Sequence, residues 1–245
     1  MLSRIAKEAK EIIADHRLLE KFENPLLDYH IKAVEWMLIR EQNEELPPFW
    51  KRSRNGFVNV VSGKLSKEQP SRFRGGIFND CKALNMIKPL CCLMLMDNKH
   101  HNKKEDRKPT LLLHDSTLHD LLECLESSRP KGLRIHYFVE KSEFKSVDLR
   151  KIHLVVVSYQ HLNKLLTKIK WRRVIFADVD LNGPDLSQRS LHQFQGDMRW
   201  VVPRKKVNLN FHLRDLSLSL LNLDPFNMQS DDRLQRTIVE NEEVL

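Results

Sequence analysis

Short apolar runs between residues 110 and 202 constrain the fold of this chain more than any other feature. They lie at 110–114, 134–139, 153–158, 173–177 and near 199–202. Two of the runs are apolar continuously rather than alternately, namely Leu154–Val157 and Val174–Phe176. A strand of this kind is buried on both faces, as in a parallel sheet covered by helices. Helical patterns at 117–126 and 160–168 separate the runs, so we predict an α/β fold with these two strands adjacent or one strand apart.

The first hundred residues divide into further predicted elements. Apolar residues at helical spacing predict an amphipathic helix over 2–20, within an N-terminal segment 1–25 that ends at Asn24-Pro25, and a second helix over 28–42. Residues 43–74 look like an irregular insertion with a short hairpin around 57–61. A strand near 75–78 and an apolar helix over 84–96 follow. We expect a flexible charged loop at 97–109 and a C-terminal tail at 231–245.

Charge and composition limit the classes of partner. The 245 residues carry a net charge of +8, which mildly favours a polyanion, and no run of 18 apolar residues exists to span a membrane. Each basic cluster taken alone is more typical of a solvated face than of a phosphate contact. These clusters are Lys51–Arg54, Arg72 with Arg74, Lys168–Arg173 and Arg204–Lys206. The four cysteines form no CxxC pair and fit a reducing compartment, and the histidines show no convincing metal-ligand spacing, so we expect no metal site.

The run from Arg74 to Ile87 looks like a phosphate-binding loop that has lost its chemistry. Such a loop needs small residues whose N–H groups surround phosphates, followed by Lys and Ser/Thr for the phosphates and Mg²⁺. The Gly75-Gly76 pair follows the expected pattern. However, the next glycine is Gly132, and Met86 and Ile87 stand where Lys and Thr would be. Taken alone, the glycine pair is more typical of a plain turn before a buried helix, and the rest of the chain favours the phosphate-loop interpretation.

Several segments in order carry a family resemblance. They are Leu26–His30 with Ala33–Leu38, Glu45–Trp50, Arg74–Ile77, Leu154–Tyr159, Trp171–Phe176, Arg199–Val202, Leu213–Leu216 and Leu220–Phe226. Together they resemble the first RecA-like lobe of SWI/SNF-type DNA translocases, in the helicase-like transcription factor branch. The resemblance implies a P-loop-type parallel sheet flanked by helices, which forms a single lobe over 26–230. It also implies that the chain stops about where the family's second lobe would begin.

The departures from the family pattern fall on catalytic positions. The Gly, Gly, Lys and Thr of motif I become Ala83, Asn85, Met86 and Ile87, and the Asp-Glu-Ala-His box reads Ala177–Asp180. The resemblance therefore implies a pseudo-ATPase, not an enzyme, that has lost ATP and Mg²⁺ binding. A register slip that presents Asp178 to Mg²⁺ is the alternative. The vestigial nucleotide pocket would comprise His30, which replaces a Gln, and Gly75, Gly76, Asp80, Met86, Ile87, Ala177 and Asp178.

The family's DNA-facing positions can also be carried over. They point to Ser116, Ser158 and Tyr159, while the Thr-Gly-Thr-Pro motif reads Pro203, Arg204, Lys205 and Lys206. The resemblance implies a nuclear protein of DNA repair or chromatin that binds DNA weakly through its backbone. A protein partner on the face left by the missing second lobe is a second possibility. A truncated remnant and a residual DNA-dependent ATPase are further alternatives.

Overall fold

The computed structural model describes residues 20–42, 46, 50–60, 63–70, 74–78, 86–100, 108–114, 118–138, 147–162, 164–179 and 193–203. The helix expected over 2–20 lies almost wholly outside these residues. So do the family-like segments after Pro203 and the tail expected at 231–245.

The centre of the fold is a six-stranded sheet in which every neighbouring pair is parallel. Its strands are β4 (Gly75–Ile77), β5 (Thr110–His114), β6 (Ile135–Phe138), β7 (Leu154–Ser158), β8 (Lys170–Val179) and β9 (Gln195–Pro203). They lie in the order β4-β9-β8-β5-β7-β6. Strands β7 and β8 are therefore separated only by β5, which confirms the predicted arrangement of the two continuous apolar runs and the α/β fold class.

Helices cover both faces of this sheet. They are α1 (Asp28–Gln42), α2 (Ile87–His100), α3 (Leu118–Ser128) and α4 (Lys164–Thr167), with 3₁₀ turns at Leu149–Lys151 and Tyr159–His161. Residues of α1, α2 and α3 form one core with Val156, Ile175 and Trp200. On the opposite face, Val155 and Phe176 pack with Leu166 of α4. Because consecutive strand residues enter opposite cores, the strands are apolar without alternation.

Several element bounds differ from the sequence prediction. Helix α2, expected over 84–96, is described from Ile87 and continues to His100, so residues 97–100 of the expected flexible loop are helical. Strand β8 extends three residues earlier than expected. Trp171 is fully buried there, and its indole Nε1 donates a hydrogen bond to the Leu166 carbonyl at 3.0 Å, which holds the start of the strand. No helix in the described ranges is long and apolar enough to cross a membrane.

The insertion between α1 and β4 contains more order than a single hairpin. Strands β1 (Trp50–Ser53), β2 (Gly56–Asn59) and β3 (Leu65–Ser66) form a separate antiparallel sheet in that order. The predicted hairpin around 57–61 corresponds to β2 and β3. We call these three strands the insertion sheet.

Candidate functional site

The carboxyl ends of the parallel strands define one edge of the main sheet. Open α/β sheets bind their ligands at this edge. The register places Ala177 of β8 beside Val202 of β9, and His114 of β5 beside Ser158 of β7. The strand ends near the expected nucleotide pocket (β8 and β9) and those near the expected DNA contacts (β5 and β7) therefore lie along one edge, which we call the rim. Asp80, Ser116 and Arg204–Lys206 follow the ends of β4, β5 and β9 in the chain but lie outside the described residues.

Two apolar side chains occupy the phosphate-site positions at the start of α2. Met86 and Ile87 are each 2% exposed and belong to the core between α1, α2 and the sheet. The sequence places both residues in the vestigial nucleotide pocket, and in the structure their side chains pack into the interior. A triphosphate at this position would therefore find neither the cation nor the hydroxyl that a P-loop supplies.

His30 is held as a neutral, buried side chain at the start of α1. It is 3% exposed, and its Nδ1 accepts a hydrogen bond from the Leu27 N–H at 3.1 Å. Burial, and then the charge of nearby Lys88, lower the pKa of His30. Lys88, in the first turn of α2, thus acts electrostatically on the start of α1. The imidazole closes the first turn of α1 by satisfying a backbone donor.

Packing accounts for both glycines of the Gly75-Gly76 pair. Gly75 has φ of +127°, and a Cβ there would lie 1.8 Å from the Arg199 carbonyl oxygen of β9. A Cβ on Gly76 would lie 3.2 Å from the Trp200 ring and 3.5 Å from the Trp36 ring. Both glycines belong to β4. Close approach of backbone and rings therefore explains the pair without a nucleotide.

Strand β8 contains a register irregularity at the Asp-Glu-Ala-His position. Ala177 pairs with Val202 and Val179 with Pro203, so Asp178 is an extra residue, with φ of +57°. Ala177 belongs to the core under α1 and α2, whereas Val179 belongs to the opposite core. A β-bulge with Asp in the left-handed region produces such a reversal. Among the described residues, no group of three His, Cys, Asp or Glu side chains could hold a metal ion.

The two DNA-facing residues expected on β7 lie at the rim. The Ser158 hydroxyl accepts a hydrogen bond from the Gln160 N–H at 3.4 Å and so caps the following 3₁₀ turn. The Tyr159 hydroxyl donates to the Ala177 carbonyl at 3.4 Å. This contact reaches across β5 and ties the end of β7 to the end of β8. Both side chains are half-buried, so each leaves some surface at the rim.

A buried charge network inside the lobe was missed by sequence reasoning. Arg173 of β8 is 1% exposed and donates to both carboxylate oxygens of Glu41 at 2.5 Å. It also donates to Asp97 of α2, and Trp200 Nε1 donates to Glu41 at 2.9 Å. The network joins α1, α2, β8 and β9. A guanidinium inside the apolar run 171–176 was the available signal, but its partner lies 132 residues away in the chain.

Comparison with known proteins relates the chain to SWI/SNF-type helicases. No family model matches it. The helicase-like transcription factors of Mus musculus and Homo sapiens are 29% and 28% identical to it over 111 and 123 residues, which is 40% and 48% of this chain. The chain matches only 11% and 12% of their lengths. An Arabidopsis thaliana protein named as a putative SWI/SNF-related, matrix-associated, actin-dependent regulator of chromatin, subfamily A member 3-like 1, is 30% identical over 87 residues, covering 36% of this chain and 10% of its own.

Solved structures support the same fold. The Sulfolobus solfataricus SWI2/SNF2 ATPase core domain aligns with a TM-score of 0.55, and the same core in complex with dsDNA with 0.53. Each alignment covers 84% of this chain at 14% identity, and 36% and 37% of the respective solved chains. The described sheet is therefore a RecA-like lobe of the kind found in SWI2/SNF2 cores, and the chain spans a small part of its relatives.

Proposed function

We propose that this SWI/SNF-type helicase lobe is catalytically inactive and acts by binding, with DNA phosphates as the first partner. The observation that carries the proposal is the burial of Met86 and Ile87 in the core, at the positions where the family has its phosphate Lys and its Mg²⁺-ligating Thr. The scaffold strands around these positions remain complete. The lobe has kept its architecture while its nucleotide chemistry is replaced by packing.

The size of the catalytic loss supports this proposal. Phosphoryl transfer depends almost wholly on positioning and charge stabilisation, so no covalent step compensates for missing charges. Removal of one preorganised electrostatic donor raises a barrier by about 3–4 kcal/mol. Here the Lys and Thr positions are apolar, and Ala177 occupies the first acidic position of the Asp-Glu-Ala-His box. We therefore propose that ATP and Mg²⁺ are not cofactors of this chain.

The rim at the carboxyl edge supports DNA as the partner. Ser158 and Tyr159 end β7, and Pro203 ends β9 beside Val179 of β8. The next three residues of the chain, Arg204–Lys206, are all basic. We propose that these three cations act together with the hydroxyls of Ser158 and Tyr159 and follow a phosphate backbone without reading its sequence. One of the related solved cores is a complex with dsDNA.

The names of the relatives supply the proposed cellular setting. They are helicase-like transcription factors and a putative regulator of chromatin. We therefore propose a nuclear location and a role in DNA repair or chromatin transactions.

A protein-interaction module is the second candidate, favoured by an exposed apolar pair beside the former nucleotide pocket. Leu27 and Tyr29 are 52% and 40% exposed on either side of the start of α1, next to the buried His30. A partner that covered this pair would bind with little dependence on salt, because apolar burial is not screened by ions.

The test compares two neutralised basic clusters in the full chain. We expect Arg204→Gln, Lys205→Gln and Lys206→Gln together to weaken binding to duplex DNA of any sequence. The slope of log affinity against log salt should flatten by about 0.9 for each lost phosphate contact. The control, which removes two charges, is Lys168→Gln with Lys170→Gln, exposed residues at the amino edge of the sheet. The control should bind like the unmodified protein.

Other results would overturn the rim assignment. Equal losses from both clusters would mean diffuse charge attraction. Unchanged binding in both variants, or no DNA binding by the unmodified protein, would favour the protein-interaction module. In that case Leu27→Ser with Tyr29→Ser should abolish partner capture.

A further inference from the structure

The insertion sheet presents a charged and aromatic surface that the proposed function does not use. We propose that this sheet is a second nucleic-acid contact, one that binds a single strand by stacking bases on Trp50 and Phe57 and by pairing phosphates with the surrounding cations.

Positive charge is concentrated on this sheet. The segment 50–68 has one carboxylate, that of Glu68, against five basic residues. The five basic residues, all exposed, are Lys51, Arg52, Arg54, Lys64 and Lys67. The segment therefore carries half of the net charge of +8 in fewer than a tenth of the residues. Such a patch raises the local concentration of a polyanion.

The strand register places the aromatic rings and a guanidinium on one face. In an antiparallel pair, residues directly opposite each other point to the same side of the sheet. Trp50 lies opposite Asn59, and Arg52 lies opposite Phe57, which in turn lies opposite Ser66. Trp50, Arg52 and Phe57 therefore share a face.

The geometry of this face fits unpaired bases. Trp50 and Phe57 are diagonal neighbours, which in a sheet lie about 7–8 Å apart, so each ring can hold a separate base. Both rings are half-buried, which fixes them while leaving part of their surface accessible. Arg52 is exposed beside Phe57 and can reach a phosphate or stack on a base. Duplex DNA hides its base faces within the stack, so this arrangement favours a single strand.

The hairpin that carries the cations is well defined. Ser53 pairs with Gly56, so Arg54 and Asn55 form a two-residue turn. Gly56 has φ of +126°, and a Cβ there would lie 2.4 Å from the Ser66 carbonyl oxygen. The glycine therefore permits β3 to approach β2, which keeps the three strands in one small platform.

The base of the insertion and the rim lie at opposite ends of the main sheet's strands. The insertion leaves the lobe after α1 and returns at the start of β4, where Arg40 Nε donates to the Gly75 carbonyl at 3.1 Å. That contact closes the base of the insertion at the amino end of β4. Ser158 and Tyr159 lie at the carboxyl ends of the strands. Loss of one contact can therefore be measured separately from loss of the other.

The test measures fluorescence anisotropy of the full chain with labelled oligo-dT, oligo-U and a duplex over a salt series. We expect Trp50→Leu with Phe57→Leu, which keep apolar bulk, to lower affinity for both single strands by about 5- to 150-fold per stacked base and to leave duplex binding unchanged. Arg52→Gln with Arg54→Gln should flatten the single-strand salt slope by about 0.7 per lost contact. The rim variant should retain oligo-dT binding, whatever its effect on duplex.

The control is Lys131→Gln with Lys151→Gln. These exposed residues precede β6 and β7, the two strands at the opposite edge of the main sheet from β4. Circular dichroism would verify that each variant is folded. Equal losses in the control would overturn the proposal in favour of diffuse attraction. Equal effects of the ring variant on single strands and duplex would overturn base stacking. Unchanged single-strand binding in both the ring variant and the arginine variant would overturn the proposal in favour of a protein partner. The other face of the sheet, with Val58 and the 71%-exposed Leu65, would then be its contact surface.

Discussion

At the residue scale, the close approach of a distant strand's backbone explains why residue 75 is a glycine. We expect Gly75→Ala to lower the free energy of unfolding by about 3 kcal/mol or more, because a Cβ would lie 1.8 Å from a backbone oxygen and β4 would have to move. The control is Gly132→Ala, also at positive φ, +89°, but with nothing within 4 Å of its added Cβ. Backbone strain alone should reduce that variant's stability by about 1 kcal/mol. Urea unfolding of both would test this, and equal losses would contradict the steric explanation.

His30 gives the lobe a defined acid sensitivity. Burial and Lys88 lower its folded pKa below the ordinary value of 6.5. The unfolded chain therefore binds more protons than the folded one as pH falls through this range. The resulting stability is complete above about pH 6.5 and decreases below it. We expect His30→Gln, which can accept the Leu27 N–H without ionising, to lose less unfolding free energy between neutral and mildly acidic pH. Identical losses in urea titrations would contradict this role.

Sequence predicts the burial of single residues well where the apolar pattern of the neighbouring residues is enough to determine it. Cys91 and Cys92 are buried on α2, within the segment that the sequence predicts as an apolar helix. The Gly75-Gly76 pair instead allows two interpretations from sequence, because a glycine pair has the same appearance whether it surrounds a ligand or admits a neighbouring strand. Only the position of Arg199 and Trp200, more than a hundred residues later, distinguishes the two.

At the element scale, Arg173 holds two helices against two strands. Burial alone would lower the pKa of Arg173, but Asp97 and Glu41 raise it above its ordinary value, so the guanidinium stays charged. We expect Arg173→Met to reduce stability by about 3–5 kcal/mol, because Glu41 would remain as a buried carboxylate without its cation. The control Arg172→Met, whose guanidinium is 27% exposed and 3.8 Å from Asp97, should change stability by about 1 kcal/mol or less.

A double variant separates pairing from packing in this network. Arg173→Met with Glu41→Met removes both buried charges, and it should recover much of the loss measured for Arg173→Met alone. Additive losses in thermal or urea unfolding would show that the ion pair is not the stabilising unit.

Element prediction followed the strength of the apolar pattern. The bounds of α1 and β5 match the predicted 28–42 and 110–114, because those segments have clear helical or continuous apolar periodicity. The insertion sheet was expected only as a hairpin, since β3 has just two residues and depends on pairing with β2. The bulge at Asp178 could not be located from sequence because it is defined by the register of β8 against β9.

At the scale of the whole molecule, nucleotide should leave the lobe unchanged. We expect millimolar Mg-ATP to cause no thermal shift and DNA to stimulate no ATPase activity, because a ligand stabilises only a protein that it binds. Met86→Lys should not restore turnover. It should instead lower stability, since it would introduce an ammonium group at a position that is 2% exposed in an apolar core. The control Met86→Leu should be tolerated. A thermal shift of several degrees with Mg-ATP on the unmodified protein would contradict the proposal.

The order of strands in the main sheet has a consequence for synthesis of the protein. Strand β4 pairs only with β9 within the sheet, and Gly75 meets Arg199. A ribosome that adds about 5–20 residues per second takes roughly 6–25 s to reach β9 after making β4. During that interval the nascent strand has no neighbour, although β5, β7 and β8 can already assemble. The first strand of the sheet is therefore among the last to gain its hydrogen-bonded neighbour.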